Sequence, residues 1–215
     1  MKKRGKMITF EGPEGGGKTT HLKILASRLR EELGLTVRTT REPGGTPTGE
    51  TIRGLLQHNA AGEPLCDSAE VFLFCASRAQ LCNRVLAPAL DAGEWVICDR
   101  FTDSTLAYQG FGRGFDLALL RSLNNFATGP VMPDLTLLLD VPASSGLERV
   151  GLRSNGNHDR IESESLAFHE RLRQGYLQLA AGEPQRFAII DATRPLATVA
   201  ADIWQTVATR LLADG

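Results

Sequence analysis

Long apolar runs are missing from this chain: no stretch is apolar over enough residues to span a bilayer, so no transmembrane segment is expected. An excess of charge is missing too. Lys and Arg number 24 against 25 Asp and Glu, and a formal net charge of -1 argues against a general binder of nucleic acid or of membrane surfaces. The four cysteines, Cys66, Cys75, Cys82 and Cys98, lack C-x-x-C spacing and have no histidine at ligand distance in sequence, so neither zinc nor a redox pair is indicated. They read as reduced, mostly buried thiols. The basic start, Lys2-Lys3-Arg4-Gly5-Lys6, looks like the opening of a secretory signal only until Glu11 and a glycine-rich segment interrupt the short apolar run behind it. A cytoplasmic protein is expected. Internal repeats and low-complexity linkers are absent, and 215 residues with 42% hydrophobic content suit one substantial core, hence a single domain over 1–215.

What is present begins with Gly12-Pro13-Glu14-Gly15-Gly16-Gly17-Lys18-Thr19, which matches G-x-x-x-x-G-K-[ST] and follows Met7-Ile8-Thr9-Phe10-Glu11, a short buried strand. Strand, loop and helix in that order make it a phosphate-binding loop. The glycines let backbone N–H groups turn inward, and the helix starting near Lys18 aims the positive end of its dipole at the same point. The whole segment, Gly12, Pro13, Glu14, Gly15, Gly16, Gly17, Lys18 and Thr19, is therefore expected to hold ATP. Lys18 is expected to reach the β- and γ-phosphates, and the Thr19 hydroxyl to ligate Mg2+.

Further along, Leu22, Leu25, Leu29 and Leu33 recur at helical spacing over 20–33, and Gly34 stops the helix. A second strand is expected over 35–40, a stiff turn at Arg41-Glu42-Pro43-Gly44-Gly45, and a short helix over 48–57. A long helix over 67–90, bent near Pro88, leads to a strand over 95–98 that ends in Asp99-Arg100. Helices over 116–126, 143–152, 163–180 and 196–212 alternate with strands over 135–139 and 187–190. Five apolar strands alternating with helices specify a parallel sheet covered on both faces, a three-layer α/β architecture. Ligands of such sheets lie outside the carboxyl ends of the strands, where Asp99 and Arg100 emerge.

The chain carries neither Asn-Lys-x-Asp nor Asp-x-x-Gly, which a guanine-nucleotide switch would need, and no Leu-Ser-Gly-Gly-Gln-like signature of a transporter-type ATPase. Arginines recur near predicted loops instead: Arg41, Arg53, Arg78, Arg100, Arg113, Arg149, Arg153 and Arg160. Their forks suit a second phosphorylated ligand. Phosphoryl transfer needs positioning and charge neutralisation above all, and the charged, glycine-containing segment over 149–162 has the composition of a lid that would close on two anions and exclude water. These features do not name the acceptor. A kinase for another nucleoside monophosphate or a small metabolite, or a switch that hydrolyses ATP slowly, stays open on the residues alone.

Taken together, the segment from Glu11 to Thr20, Thr40-Arg41-Glu42-Pro43-Gly44-Gly45, Asp99-Arg100, Ser104-Thr105-Leu106-Ala107-Tyr108-Gln109 and Asp159-Arg160-Ile161-Glu162 closely resembles the bacterial thymidylate kinases, in order and over nearly the whole chain. The resemblance implies a P-loop NTPase fold and transfer of the γ-phosphate of ATP to dTMP, with Mg2+, in a homodimer. It implies that Arg41 binds the acceptor phosphate with Arg53 nearby, and that Phe74 stacks on thymine while Arg78 reaches a carbonyl oxygen of the base. On composition alone Phe74 would be a core residue. Arg100 would bridge donor and acceptor phosphates, and Asp99 would lie near the metal and its waters. Ser104 and Thr105 resemble base-reading positions, Tyr108 the ring that crowds a ribose 2′-hydroxyl, and Gln109 a polar neighbour of the base. Glu14 corresponds to an acidic position near the acceptor 3′-hydroxyl and the metal. Some members carry an arginine next to it, where this chain has Gly15; the lid would then supply the cation, through Arg153 with Arg160 beside it.

Overall fold

The computed structural model describes residues 4–58, 62–154 and 164–213. Five strands are built from the apolar runs: β1 (Met7–Glu11), β2 (Val37–Arg41), β3 (Trp95–Asp99), β4 (Leu135–Asp140) and β5 (Phe187–Asp191). They pair in parallel in the order β2-β3-β1-β4-β5, with Ile8 opposite Ile97 on one side and Leu135 on the other. Every residue of β1 is buried, as a central parallel strand requires, whereas β2 at the edge exposes Arg38 and Thr39.

Side chains alternate between two cores. Ile8 and Phe10 point to one face, where Leu22, Leu25 and Leu29 of α1 (Lys18–Leu33) and Val199 and Ile203 of a later helix cover them. Each such leucine contributes roughly 1.5–3 kcal/mol by leaving water. Leu33, expected on the same stripe, is 43% exposed, because the helix has already passed the sheet edge where Gly34 caps it. The opposite face is covered by α3 (Asp67–Leu81), α6 (Leu117–Thr128) and α8 (Leu166–Gly182), which pack Val71, Leu120, Leu172 and Tyr176 around Leu138. The two faces make the expected three layers.

Boundaries differ from the sequence reading where tertiary structure decides. The second strand is Val37–Arg41 rather than 35–40, so Arg41 is its last residue and projects from the sheet's carboxyl edge. The helix expected unbroken over 67–90 ends as α3 at Leu81, widens into a π-helical turn at Cys82–Leu86, and resumes as α4 (Ala87–Asp91). Pro88 lacks an N–H and its ring crowds the carbonyl one turn back, and the wider turn accommodates both. Between β3 and α6 the chain is helical over 102–112, α5 (Thr102–Thr105) running into a π-helical stretch at Leu106–Gly112 that the sequence reading left unassigned. The helix α2 (Pro47–His58) brackets the expected one, and α9 (Leu196–Val207) ends in a π-helical turn at Ala208–Leu212. The helix α7 (Ala143–Ser154) runs two residues past the expected end. Of the expected lid over 149–162, residues 155–162 lie outside the described residues, as does the expected start of α8 at 163. Its observed start is fixed by Ser165, whose side chain accepts from Phe168 N.

Candidate active site

The loops after β1, β2 and β3 open into one cleft of about 750 Å³. Its lining includes Glu14, Gly15, Gly17, Lys18 and Thr19 of the phosphate loop and Arg41, Arg53, Phe74, Arg78, Asp99, Arg100, Ser104, Thr105, Tyr108 and Gln109. Residues spread over almost a hundred positions thus converge because their strands end at the same edge. Gly12, Pro13 and Gly16 are buried on the far side of the loop, the two glycines against Leu139, and do not line the cleft. The backbone of Arg153 lies in the last turn of α7, and Arg160 lies outside the described residues.

At the donor end, Lys18 folds back onto the loop, donating to Gly12 O at 3.1 Å and Pro13 O at 2.8 Å. Burial, aided by the neighbouring Arg100 charge, lowers its pKa to about 8 against the pull of Glu14 and Asp99. Thr19 Oγ1 donates to Asp99 Oδ2 at 2.5 Å, so a hydroxyl and a carboxylate meet at the start of α1.

Glu14 and Arg100 sit between the two ends. Arg100 Nη2 donates to Glu14 Oε1 at 2.6 Å, while Nη1 donates to Gly12 O, Tyr176 Oη and Ser104 Oγ at 3.1–3.3 Å. Burial alone would push the Glu14 carboxyl up. Arg100, then Lys18 and the Tyr108 hydroxyl at 2.7 Å, hold it down at about 2 instead. Arg100 has φ 69°, a left-handed backbone that costs a non-glycine residue on the order of 1 kcal/mol. Hydrogen bonds hold it there: Arg100 N donates to Phe10 O at 2.9 Å and Phe101 N to Glu11 Oε1 at 2.7 Å.

Glu11 is a site residue the sequence reading quoted in its motif but gave no role. Fully buried, it also accepts from Ser104 Oγ at 2.6 Å and Tyr176 Oη at 2.9 Å. Burial, with the Asp103 charge behind it, pushes its carboxyl up to about 7 despite Arg100 and these hydrogen bonds. An acidic residue closing an otherwise apolar strand was the available signal, since a charge so placed must be paired. Nothing local points to Tyr176, which comes from α8, 165 residues away. Ser104, expected to read the base, has its hydroxyl occupied by Glu11, Arg100 and Tyr176.

At the acceptor end, Arg41 Nη2 donates to Glu50 Oε2 at 2.9 Å and stays half exposed, and Arg53 Nη1 donates to Pro43 O at 2.9 Å. Phe74 is partly exposed to the cleft and belongs to none of the core clusters. Arg78 is 1% exposed and makes four hydrogen bonds to protein atoms, from Nε to Glu42 Oε2, from Nη1 to Thr105 Oγ1 and Asn124 Oδ1, and from Nη2 to Phe101 O, while Nη2 also stands 2.7 Å from Glu42 Oε2 as an ion pair. Glu42 was quoted in the sequence only as part of a turn and Asn124 not at all, because a pair 36 or 46 residues apart leaves no periodic trace.

Gly15 is the loop position where a side chain is sterically forbidden. Its φ is 72°, and a Cβ there would stand 2.2 Å from Gly146 O of α7. A Cβ on Gly146 would stand 2.3 Å from Glu14 O in return. The described cation beside this contact is Arg149 of α7, whose Nη1 donates to Ala192 O at 2.9 Å and lies 3.4 Å from Gly15 O.

A phosphate loop at the carboxyl edge of a parallel sheet, facing an arginine-lined pocket across one cleft, defines a P-loop kinase with a small phosphorylated acceptor. Comparison with known proteins narrows the class. The sequence profile described as thymidylate kinase matches residues 10–203. A thymidylate kinase of a Synechococcus strain is 52% identical over 204 residues, covering 95% of each chain, and one of Deinococcus radiodurans is 51% identical over 208, covering 96% of this chain and 98% of its own. The crystal structure of thymidylate kinase from Ehrlichia chaffeensis superposes with a TM-score of 0.76 at 34% identity, covering 95% of this chain and 99% of that one. This chain belongs to the thymidylate kinase family.

Proposed function

We infer that the chain catalyses ATP-dependent phosphorylation of dTMP, giving dTDP and ADP. The observation that carries this reading is Arg100: it touches the phosphate loop through Glu14 and Gly12 while lining the same cleft as Arg41 and Arg53. ATP would lie with its phosphates over the loop and Lys18, and dTMP with its phosphate toward Arg41 and Arg53 and its base toward Phe74, Arg78, Thr105 and Gln109. Tyr108 would flank the sugar. The attacking oxygen belongs to a phosphate that is already anionic near neutral pH, so no general base is needed, and Arg100 spans the charge of both reactants.

Mg2+ fits the donor end. Thr19 and Asp99 offer two hard oxygens, and Mg2+ commonly takes one or two carboxylates, with phosphate and water completing its shell. When bound it would neutralise charge on the β- and γ-oxygens. The nearest equivalent of the loop arginine would come from α7 and the segment beyond, Arg149 and Arg153 among them, with Arg160 further on.

We place the reaction in the cytoplasm, where the free thiols of Cys66, Cys75, Cys82 and Cys98 stay reduced. No helix among the described residues is long and apolar enough to cross a membrane. The assembly we favour is a homodimer, supported by Phe72 of α3 and Leu119 and Phe126 of α6, which are 51–91% exposed on neighbouring helices away from the cleft. An ADP-release assay with dTMP, dUMP, dCMP, AMP or no acceptor tests the activity. Turnover should require dTMP; equal release without acceptor, or preference for AMP, refutes the reading.

A further inference from the structure

The base end of the cleft contains a buried acid that neither the reading above nor the motifs give a task. Glu70, in the first turn of α3, is 1% exposed, and its Oε1 accepts from Gln109 Nε2 at 2.7 Å and from Arg113 Nε at 3.1 Å. Arg113 follows the π-helical stretch that carries Gln109, and its Nη2 also pairs with Glu164 at 3.0 Å. A carboxylate paired with a guanidinium can only accept hydrogen bonds. The Gln109 amide must therefore turn its nitrogen toward Glu70, since the flipped amide would set two oxygens against each other at that distance.

This fixes what the cleft sees. Gln109 lines the cleft beside Phe74, Thr105 and Tyr108, and its Oε1 has no hydrogen-bond partner among the described residues. Arg78 directs four hydrogen bonds at protein atoms, and Thr105 Oγ1 is already an acceptor for one of them. The Gln109 oxygen is thus an acceptor left open on the base side.

We propose that Glu70, backed by Arg113, is a positioning residue that locks Gln109 as a hydrogen-bond acceptor and so selects acceptor bases with a ring N–H. Thymine and uracil present N3–H. Cytosine presents an N3 lone pair, which would oppose the Gln109 oxygen with neither group satisfied. A site built this way rejects the wrong base through the unpaired polar atoms it leaves. The proposal rests on the reading of this cleft as the dTMP site and adds the device that sets its polarity.

The test compares kcat and KM for dTMP and dCMP in the wild type and in Glu70→Gln, whose new amide can donate as well as accept and so frees Gln109 to flip. The ratio of kcat/KM for dTMP over dCMP should fall by about ten-fold or more, mainly through a higher KM for dTMP, with kcat changed by less than about three-fold. A ratio within about two-fold of the wild type's overturns the proposal. Failure of the wild type to use dTMP would instead refute the functional reading. Should Glu70→Gln fold poorly, wild type bound to dTMP isotope-labelled at N3 decides: an N3 proton protected from exchange supports the acceptor, and exchange as fast as in free dTMP overturns it.

Discussion

Replacing Arg100 by alanine removes a cation that grips the phosphate loop through Glu14 and Gly12 while lining the acceptor pocket. The lost contacts are the 2.6 Å pair with Glu14 and the hydrogen bonds to Gly12 O, Ser104 and Tyr176. Losing a donor aimed at charge developed in the transition state typically costs ~100- to 1,000-fold, or about 2.7–4 kcal/mol. The drop in kcat/KM for dTMP should therefore reach about two decades or more. A second effect follows from the same contact. Burial already pushes the Glu14 carboxyl up, and without Arg100 only weaker partners, Lys18 and Tyr108 foremost, oppose it, so its pKa should climb from about 2. Arg100→Lys keeps a charge but not the fork, and should recover part of both losses. ADP release at saturating ATP with dTMP varied reads the first effect, and carboxyl NMR across pH reads the second. Turnover of Arg100→Ala within about five-fold of wild type, with Glu14 still titrating near 2, would refute the assigned role.

Gly15→Ala should cost about 2 kcal/mol or more, because the left-handed backbone and the 2.2 Å approach to Gly146 O both penalise a Cβ. Thermal melting should show a fall of several degrees; an unchanged Tm would mean α7 yields without cost. Glu11 has a folded-state pKa of about 7 against an ordinary 4.5, so the folded form holds its proton longer than the unfolded form as pH rises. Its contribution to stability is present below about pH 4.5 and declines toward pH 7, by at most about 1.4 kcal/mol per pH unit, and Glu11→Gln should flatten that slope in denaturant titrations. Parallel pH profiles for the two proteins would overturn this.

The parts legible in the sequence were those written in local pattern. Parallel strands with both faces covered read as apolar runs, and the glycine spacing of 12–17 identifies an anion loop without tertiary information. Asp99 and Arg100 stood out because charge at a strand's end has few structural uses. Polar support inside the fold was illegible for the opposite reason. Tyr176 looks like any aromatic on a helix stripe, and only packing α8 under β1 brings its hydroxyl to Glu11. Arg78 was legible as a cleft residue, but not its support, because Glu42, Thr105 and Asn124 come from three separate segments to hold it. The π-helical turn at Cys82–Leu86 was half legible: Pro88 announced a disturbance, not the form it would take.

The contact between Gly15 and Gly146 also bears on how such a site can change over generations. A single codon change could write arginine into the phosphate loop, but its Cβ would collide with the backbone of α7, and no rotamer relieves a clash with a carbonyl at 2.2 Å. The helix itself would have to retreat, carrying Arg149 with it. A side chain at position 15 and the observed seat of α7 are therefore mutually exclusive packings, and a lineage that acquires a loop arginine does so by moving a helix rather than by exchanging one residue.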